Sequence, residues 1–256
     1  MTRVKISLGF ASVFAAVVAL GHFQVLVPSS EFAGVDSKTV DLEIVFTHPM
    51  SNGPVMDMGK PSEFGVLVNG VKTDLTSVLR KREVSGKSAY TASYKVKRPG
   101  DHVFYIAPAP YWEPAEEKMI IHYTKVVVDA FGGEDGWDAM VGFPVEIKPL
   151  VRPYGLWTGN VFRGIVMRDG KAVPYAEIEV EYLNKEGKVA IPEDAFETQV
   201  IKSDANGVFC YAMPREGWWA FAALLDGGKM ENPRGKEVDV ELGGLMWVRC
   251  RNMEEK

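Results

Sequence analysis

The 256-residue sequence predicts an all-β protein, two antiparallel β-sandwich domains behind a signal peptide. Two observations carry this. Short apolar stretches alternate with polar residues at a period of two, which divides a strand's side chains between its two faces. Gly, Pro, Asn and Asp interrupt these stretches at close intervals, where hairpins need turns, and helical patterns are scarce. Apolar residues make up 46% of the chain and charged residues 25%, a globular composition long enough for a sizeable core.

Taken in order, the first element is residues 1–21, MTRVKISLGFASVFAAVVALG. They combine a basic start, an apolar middle from Ile6 to Leu20, and small residues Ala19 and Gly21 ahead of a cut. The run is shorter than the roughly 20 residues that span a bilayer. Cleavage before His22 and export to the periplasm are therefore expected, ahead of an uncleaved anchor. The net charge of −5 becomes −7 once Arg3 and Lys5 leave with the leader. An acidic surface argues against nucleic acid or anionic lipid as partner and mildly favours cations.

Residues 22–150 form the first domain. In VDLEIVFTHP, Val40, Leu42, Ile44 and Phe46 share one face and Asp41 and Glu43 the other. FGVLVNGVKTDL reads as a hairpin around Asn69-Gly70, a dipeptide that tolerates the positive φ of a tight turn. HVFYIAP and MIIHYTKVVVDA are further strands. The segment IKPLVRPYGLW carries two prolines and a glycine, and marks a linker at 151–157 ahead of a second domain at 158–256. There, a strand and an Asp169-Gly170 turn lead to Ala176, Ile178, Val180 and Tyr182 alternating with Glu177, Glu179 and Glu181. KSDANGVFCYAMPREGWWAFAALL adds an Asn206-Gly207 turn and two strands, and EVDVELGGLMWVRC a closing pair. GIVMRDGKAVPYAEIEV and SDANGVF resemble the carboxypeptidase-regulatory, transthyretin-like sandwich family, which implies an immunoglobulin-like fold and says little of function.

Cys210 and Cys250 could pair in an oxidising compartment, and two separately buried thiols fit almost as well. Neither belongs to a CxxC motif. No GxSxG, no HExxH, no phosphate-cradling glycine loop and no cysteine–histidine nucleophile occurs, so no enzyme is expected. Glu116-Glu117 and Glu134-Asp135 read as solvated faces.

The chemistry points to histidine. His22, His48, His102 and His122 all precede the linker. His48 continues the register of Val40, Leu42, Ile44 and Phe46, so it points toward the apolar side at the strand's end, under the Gly-, Pro- and Met-rich loop PMSNGPVMDMGKP. His122 shares a face with Ile120, Val126 and Val128, and His102 opens HVFYIAP. Each alone fits a structural role better than a ligand role. A cut before His22 changes the weights: the α-amine and Nδ1 of one residue can chelate a metal in a six-membered ring. With an α-amine pKa near 8, its deprotonation by a metal at neutral pH costs little. Nitrogen-rich, thiolate-free sites suit Ni²⁺, Cu²⁺ and Zn²⁺. Met50, Met56 and Met58 could add thioethers for Cu(I) or simply pack over the domain edge, and Asp57 and Glu113 could orient imidazoles. Protons compete for such nitrogens, so release below about pH 6 is expected.

GHFQVLVPS, FTHPMSNGPVMDMGKPSEFGVLVNG, GDHVFYIAPAPYWEPAEEKMIIHYTKVVVDAFGGEDGWD and PLVRPYGLWTGNVFRGIV together resemble the DUF4198 family. Within it, they are similar to the exported NikK-type accessory component of energy-coupling-factor nickel or cobalt transporters. The resemblance implies a periplasmic protein that binds Ni²⁺ or Co²⁺ and presents it to a membrane permease complex. It carries the mature terminus onto His22, the HPM histidine onto His48, HYTK onto His122 and GDH onto His102, and leaves open which of the last two coordinates. Lys125 belongs to the same motif. Two other readings compete: a copper protein with a histidine-brace terminus, and a surface module for adhesion or glycan binding. The last would use Tyr111, Trp112, Trp137, Trp157, Trp218 and Trp219 as an aromatic platform, though no sugar substrate is expected.

Overall fold

The computed structural model describes residues 21–255, so the leader assigned to 1–21 lies outside the described residues except for Gly21. The described chain is all β, with two short 3₁₀ turns and no α-helix. Its first strands are β1 (Phe23–Pro28), β2 (Phe32–Ala33), β3 (Thr39–Thr47), β4 (Glu63–Val68), β5 (Val71–Asp74), β6 (Arg80–Val84) and β7 (Lys87–Lys95). Then come β8 (Gly100–Ala107), β9 (Tyr111–Glu113), β10 (Lys118–Ala130) and β11 (Val145–Pro149). The remainder holds β12 (Leu156–Trp157), β13 (Val161–Arg168), β14 (Lys171–Ala172), β15 (Glu177–Tyr182), β16 (Gln199–Lys202), β17 (Val208–Ala212), β18 (Gly217–Glu231) and β19 (Glu237–Arg251).

Turn chemistry sets the hairpins where the sequence puts them. Asn69 and Gly70 join β4 to β5 with φ of 50° and 74°, and Asp169 and Gly170 join β13 to β14 with 49° and 75°. Both positions of such a turn need positive φ, which Asn, Asp and Gly adopt most readily.

Three sheets result. One runs β1-β3-β7-β6, a second runs β16-β15-β18-β19-β10-β8-β4-β5, and a third contains β11, β13, β14 and β17. The long second sheet has both faces covered. Alternate residues of its central strands enter different cores: Phe104, Ile106, Val126, Val128, Leu245 and Trp247 pack toward the first sheet. Val103, Tyr105, Val127, Met246 and Val248 pack toward the third. That is why β8 is buried along its whole length.

The halves join along β10 and β19, which pair in parallel from Lys118↔Asp239 to Val126↔Trp247. Trp247 is fully buried, and its indole N–H donates to the Gln24 carbonyl at 2.9 Å. Residues 151–157 bury Tyr154 and pair Leu156–Trp157 with the end of β19.

The EVDVELGGLMWVRC segment is one strand where a closing pair was expected. Gly243-Gly244 suggests a turn, yet both stay in β19 because neighbours press on them. A Cβ on Gly244 would lie 2.8 Å from the Glu146 nitrogen, and one on Gly243 only 2.4 Å from the His122 ring. Glycine in mid-strand marks such a close approach.

Candidate metal centre

Phe23 stands opposite Thr47 in the antiparallel pairing of β1 with β3. One step further, that register sets His22 opposite His48, and their rings lie 4.6 Å apart between centroids. Phe46, at the inward position two before His48, bridges to a third imidazole: its ring centre is 5.8 Å from His22 and 5.9 Å from His122. His122 comes from β10, buried on the face of Ile120 and Val126, and Gly243 opposite it leaves the room its ring needs.

Carboxylates surround the three rings. β9 turns back onto β10 so that Glu113 pairs with Lys118. His22 Nε2 donates to Glu113 Oε2 at 2.9 Å, and Glu116 Oε1 lies 3.9 Å from His22 Nδ1. From the second half, Glu241 in β19 accepts from His122 Nε2 at 3.1 Å and from Lys118 at 2.6 Å. Lys118 also pairs with Glu116 at 2.6 Å. Glu179 and Glu181 in β15 close the far side against Gly21.

This setting displaces the acid–base equilibria. Burial, with His22 beside it, holds His48 down at about 4, so its imidazole is neutral. Burial lowers His22 too, against the opposing pull of Glu113 and Glu116. Burial would raise Glu241, but the bonds from His122 and Lys118 outweigh it and bring the carboxyl to about 2. Burial pushes Glu179 up to about 7, with Glu241 and Glu177 adding repulsion, and Glu181 up to about 8. The site is rich in carboxyl groups and short of cations, and the two most buried of them hold their protons up to neutral pH.

At His48 the chemistry available is that of neutral imidazole. Among the described residues His48 Nδ1 and His122 Nδ1 are buried without a hydrogen-bond partner, and a buried imidazole nitrogen left unpaired can give its lone pair to a cation. Among the described residues, no group of three or more His, Cys, Asp or Glu side chains is arranged to hold a metal ion. Two features keep the donors apart: Glu113 and Glu241 occupy Nε2 of His22 and His122, and the His22 nitrogen is a peptide nitrogen behind Gly21.

The structure brings His22, His48 and His122 together and separates His102. His102 pairs with Val128, six residues along β10 from His122, or roughly 20 Å at about 3.3 Å per residue. It lies against Tyr94 and Phe104, and its Nδ1 donates to the Gly100 carbonyl at 2.9 Å. Lys125, on the opposite face of β10 from His122, is fully buried against Glu146 at 2.6 Å, whose carboxylate also takes the N–H groups of Val141 and Gly142. Its place in the HYTK motif is thus structural.

Met50, Met56 and Met58 are all buried, and Met58 lines a small cavity with Gln24, Phe46, Tyr111 and His122. Asp57 is surface-bound and accepts from the Ser88 N–H, whereas Glu113 touches His22 directly. Glu116 and Glu117 part company: Glu117 is exposed at a positive-φ turn, and that turn tucks Glu116 inward against Lys118, contrary to a solvated reading of both. Glu241, Glu179 and Glu181 carry no motif and were not singled out. The aromatic residues considered as a platform divide among three separate apolar clusters, apart from the exposed Trp157. Both cysteines are free thiols, Cys210 exposed and Cys250 buried.

The fold and the site together describe an all-β protein with a three-imidazole cluster walled by carboxylates from both halves. Residues 19–227 match the family described as "Domain of unknown function (DUF4198)", and the chain belongs to that family. No curated protein matches it. Solved structures with some likeness include a domain of intimin, 13% identical over 88% of this chain and 99% of that one, TM-score 0.24. Others are fibronectin(III)-like modules of Clostridium thermocellum CbhA (8% identical, 91% and 98% covered, TM-score 0.20) and the Yersinia pseudotuberculosis adhesin InvE (14%, 86% and 58%, 0.23). Scores this low carry no argument about function. No helix among the described residues is long and apolar enough to cross a membrane.

Proposed function

We propose that this protein is an exported carrier that captures Ni²⁺ or Co²⁺ through His22, His48 and His122 and passes it to a membrane permease complex, without catalysis. One observation supports this above the rest: the β1–β3 register places His22 against His48, with His122 across Phe46, and among the described residues the buried Nδ1 atoms of His48 and His122 have no hydrogen-bond partner. Removal of residues 1–21 would add the α-amine of His22 as a further nitrogen. The ion would have to displace the Glu113 and Glu241 contacts from Nε2 or use the remaining nitrogens. A site closed by replaceable hydrogen bonds suits an ion that must leave again.

The test uses protein that begins at His22 and protein with one extra residue ahead of it, both titrated with Ni²⁺ by calorimetry. The extended form is expected to bind at least about tenfold more weakly. Equal affinity would end the terminal-chelate reading.

A copper carrier is the second reading, and the placement of Met58 in a cavity with His122 favours it. Thioethers select Cu(I). Met58→Leu should weaken Cu(I) and leave Ni²⁺ unchanged if that reading holds.

A further inference from the structure

We infer that Glu179 and Glu181, from the second half of the chain, form the seat for the α-amine of His22 once the bond to Gly21 is cut. The inference rests on the proposed cleavage and deepens it. Its geometry begins at Gly21, whose backbone lies against both carboxylates: a Cβ added there would stand 2.7 Å from Glu179 Oε2 and 2.8 Å from Glu181 Oε1. The His22 nitrogen is one bond from the Gly21 carbonyl carbon and two from that Cα. Hydrolysis places the carboxylate on the leader and leaves an ammonium on His22, at a point already flanked by two acids.

The charge inventory agrees. Lys118, the nearby cation, bonds to Glu116 and Glu241. Among the described residues no lysine or arginine pairs with Glu179 or Glu181, although Glu181 is almost wholly buried. Its carboxylate takes the Met50 N–H at 3.1 Å and the Thr198 hydroxyl, neither of which is charged. Buried carboxylates without a cation are costly, and an ammonium is the counter-charge they lack. A cavity of about 260 Å³ lined by Gly21, His22, Glu177, Glu179 and Glu241, with Lys118 and Glu116 at its wall, leaves room for the movement.

The same pair serves the metal-bound state. On binding a divalent ion the ammonium releases one proton to solvent and its lone pair goes to the metal. Two N–H bonds remain, and two carboxylates are there to accept them. Glu179 and Glu181 are thus positioning residues that aim the amine at the imidazoles.

The experiment treats protein beginning at His22 with a limiting acylating reagent at neutral pH and counts the labelled terminus by mass spectrometry. Acylation should be about tenfold slower in the wild type than in Glu179→Gln/Glu181→Gln, the equivalent of one pKa unit. Glu83→Gln, an exposed acid on the edge strand β6 of the first sheet, is the control and should leave the rate unchanged. Among the described residues Glu179 makes no side-chain hydrogen bond, so the single variant Glu179→Gln keeps the test open if the double one does not fold; Glu179→Asp should restore part of the protection. Nickel titration of the same samples separates the two ideas. A terminus acylated equally fast in wild type and variants overturns the seat even where nickel binds. A protected terminus on a protein that binds no nickel overturns the carrier reading and leaves the seat standing.

Discussion

The two ends of β10 present buried imidazoles to the same core, and they are built for different tasks. His102, at the Val128 end, is wedged between aromatic rings and has its Nδ1 tied to the backbone of its own strand. His122, at the other end, faces a carboxylate from a distant strand and shares Phe46 with His22, which in turn lies against His48. An orphan nitrogen does not separate them, since His102 Nε2 is unpartnered too. Company does. A ligand site needs several donors converging in a polar setting, and only the His122 end has a second and third imidazole with acids around them.

The sharpest way to break this comparison is to delete each ring. His48→Ala should weaken Ni²⁺ binding on the order of 100-fold or more, beyond what supporting residues usually contribute. His102→Ala should leave the affinity within about twofold and instead lower stability by about 1–3 kcal/mol, through a cavity and an unpaired Gly100 carbonyl. Calorimetry and urea melts on both variants decide it; loss of nickel in His102→Ala would erase the distinction.

A smaller effect is expected at Gly243. Adding a methyl group there drives into the His122 ring, so Gly243→Ala should reduce affinity about tenfold and destabilise by about 1–3 kcal/mol. Gly34→Ala, where nothing lies within 4 Å, is the control and should change neither.

The pH dependence of the metal-free chain with Gly21 in place is subtler, because two groups act in opposite senses. His48 is held at about 4 against an ordinary 6.5. The unfolded chain takes up a proton that the fold refuses, so this contribution is full above 6.5 and is lost as pH falls toward 4. Glu179 at about 7 and Glu181 at about 8, against an ordinary 4.5, do the reverse. The fold keeps protons that the unfolded chain releases, so their contribution is full below 4.5 and is lost as pH rises toward 8. Between 4.5 and 6.5 the two carboxyls outweigh the one imidazole, so urea midpoints should be highest between about pH 4 and 5. His48→Asn should flatten the acid side, and Glu179→Gln/Glu181→Gln the alkaline side. If this site takes up Ni²⁺ as proposed, the low pKa of His48 should carry binding below the pH of about 6 at which free histidines would release it, and a nickel titration at about pH 5.5 checks this.

Much of this site was legible in the residue pattern. The alternation through Val40, Leu42, Ile44 and Phe46 aimed His48 inward, and that of Ile120, Val126 and Val128 did the same for His122. The turns at Asn69-Gly70 and Asp169-Gly170 formed as expected. The pairing of β10 with β19 was not legible, because a parallel contact over more than a hundred residues leaves no local signature. With it went Glu241 and the reason for Gly243. Glu179 and Glu181 were hidden differently: on a strand with one apolar face, acids on the other normally meet water, and here they meet the first half of the chain. His102 could not be distinguished from His122 by alternation, since both point into one core.

The place of β19 as the last strand in chain order has a temporal consequence. Glu241 and Gly243 complete the surroundings of His122, and they reach it only after more than two hundred preceding residues have been made. A nascent chain that has not reached β19 therefore carries every histidine and still lacks Glu241 and Gly243. Until β19 pairs with β10, His122 stands without its carboxylate partner; the enclosure is a late product of chain assembly.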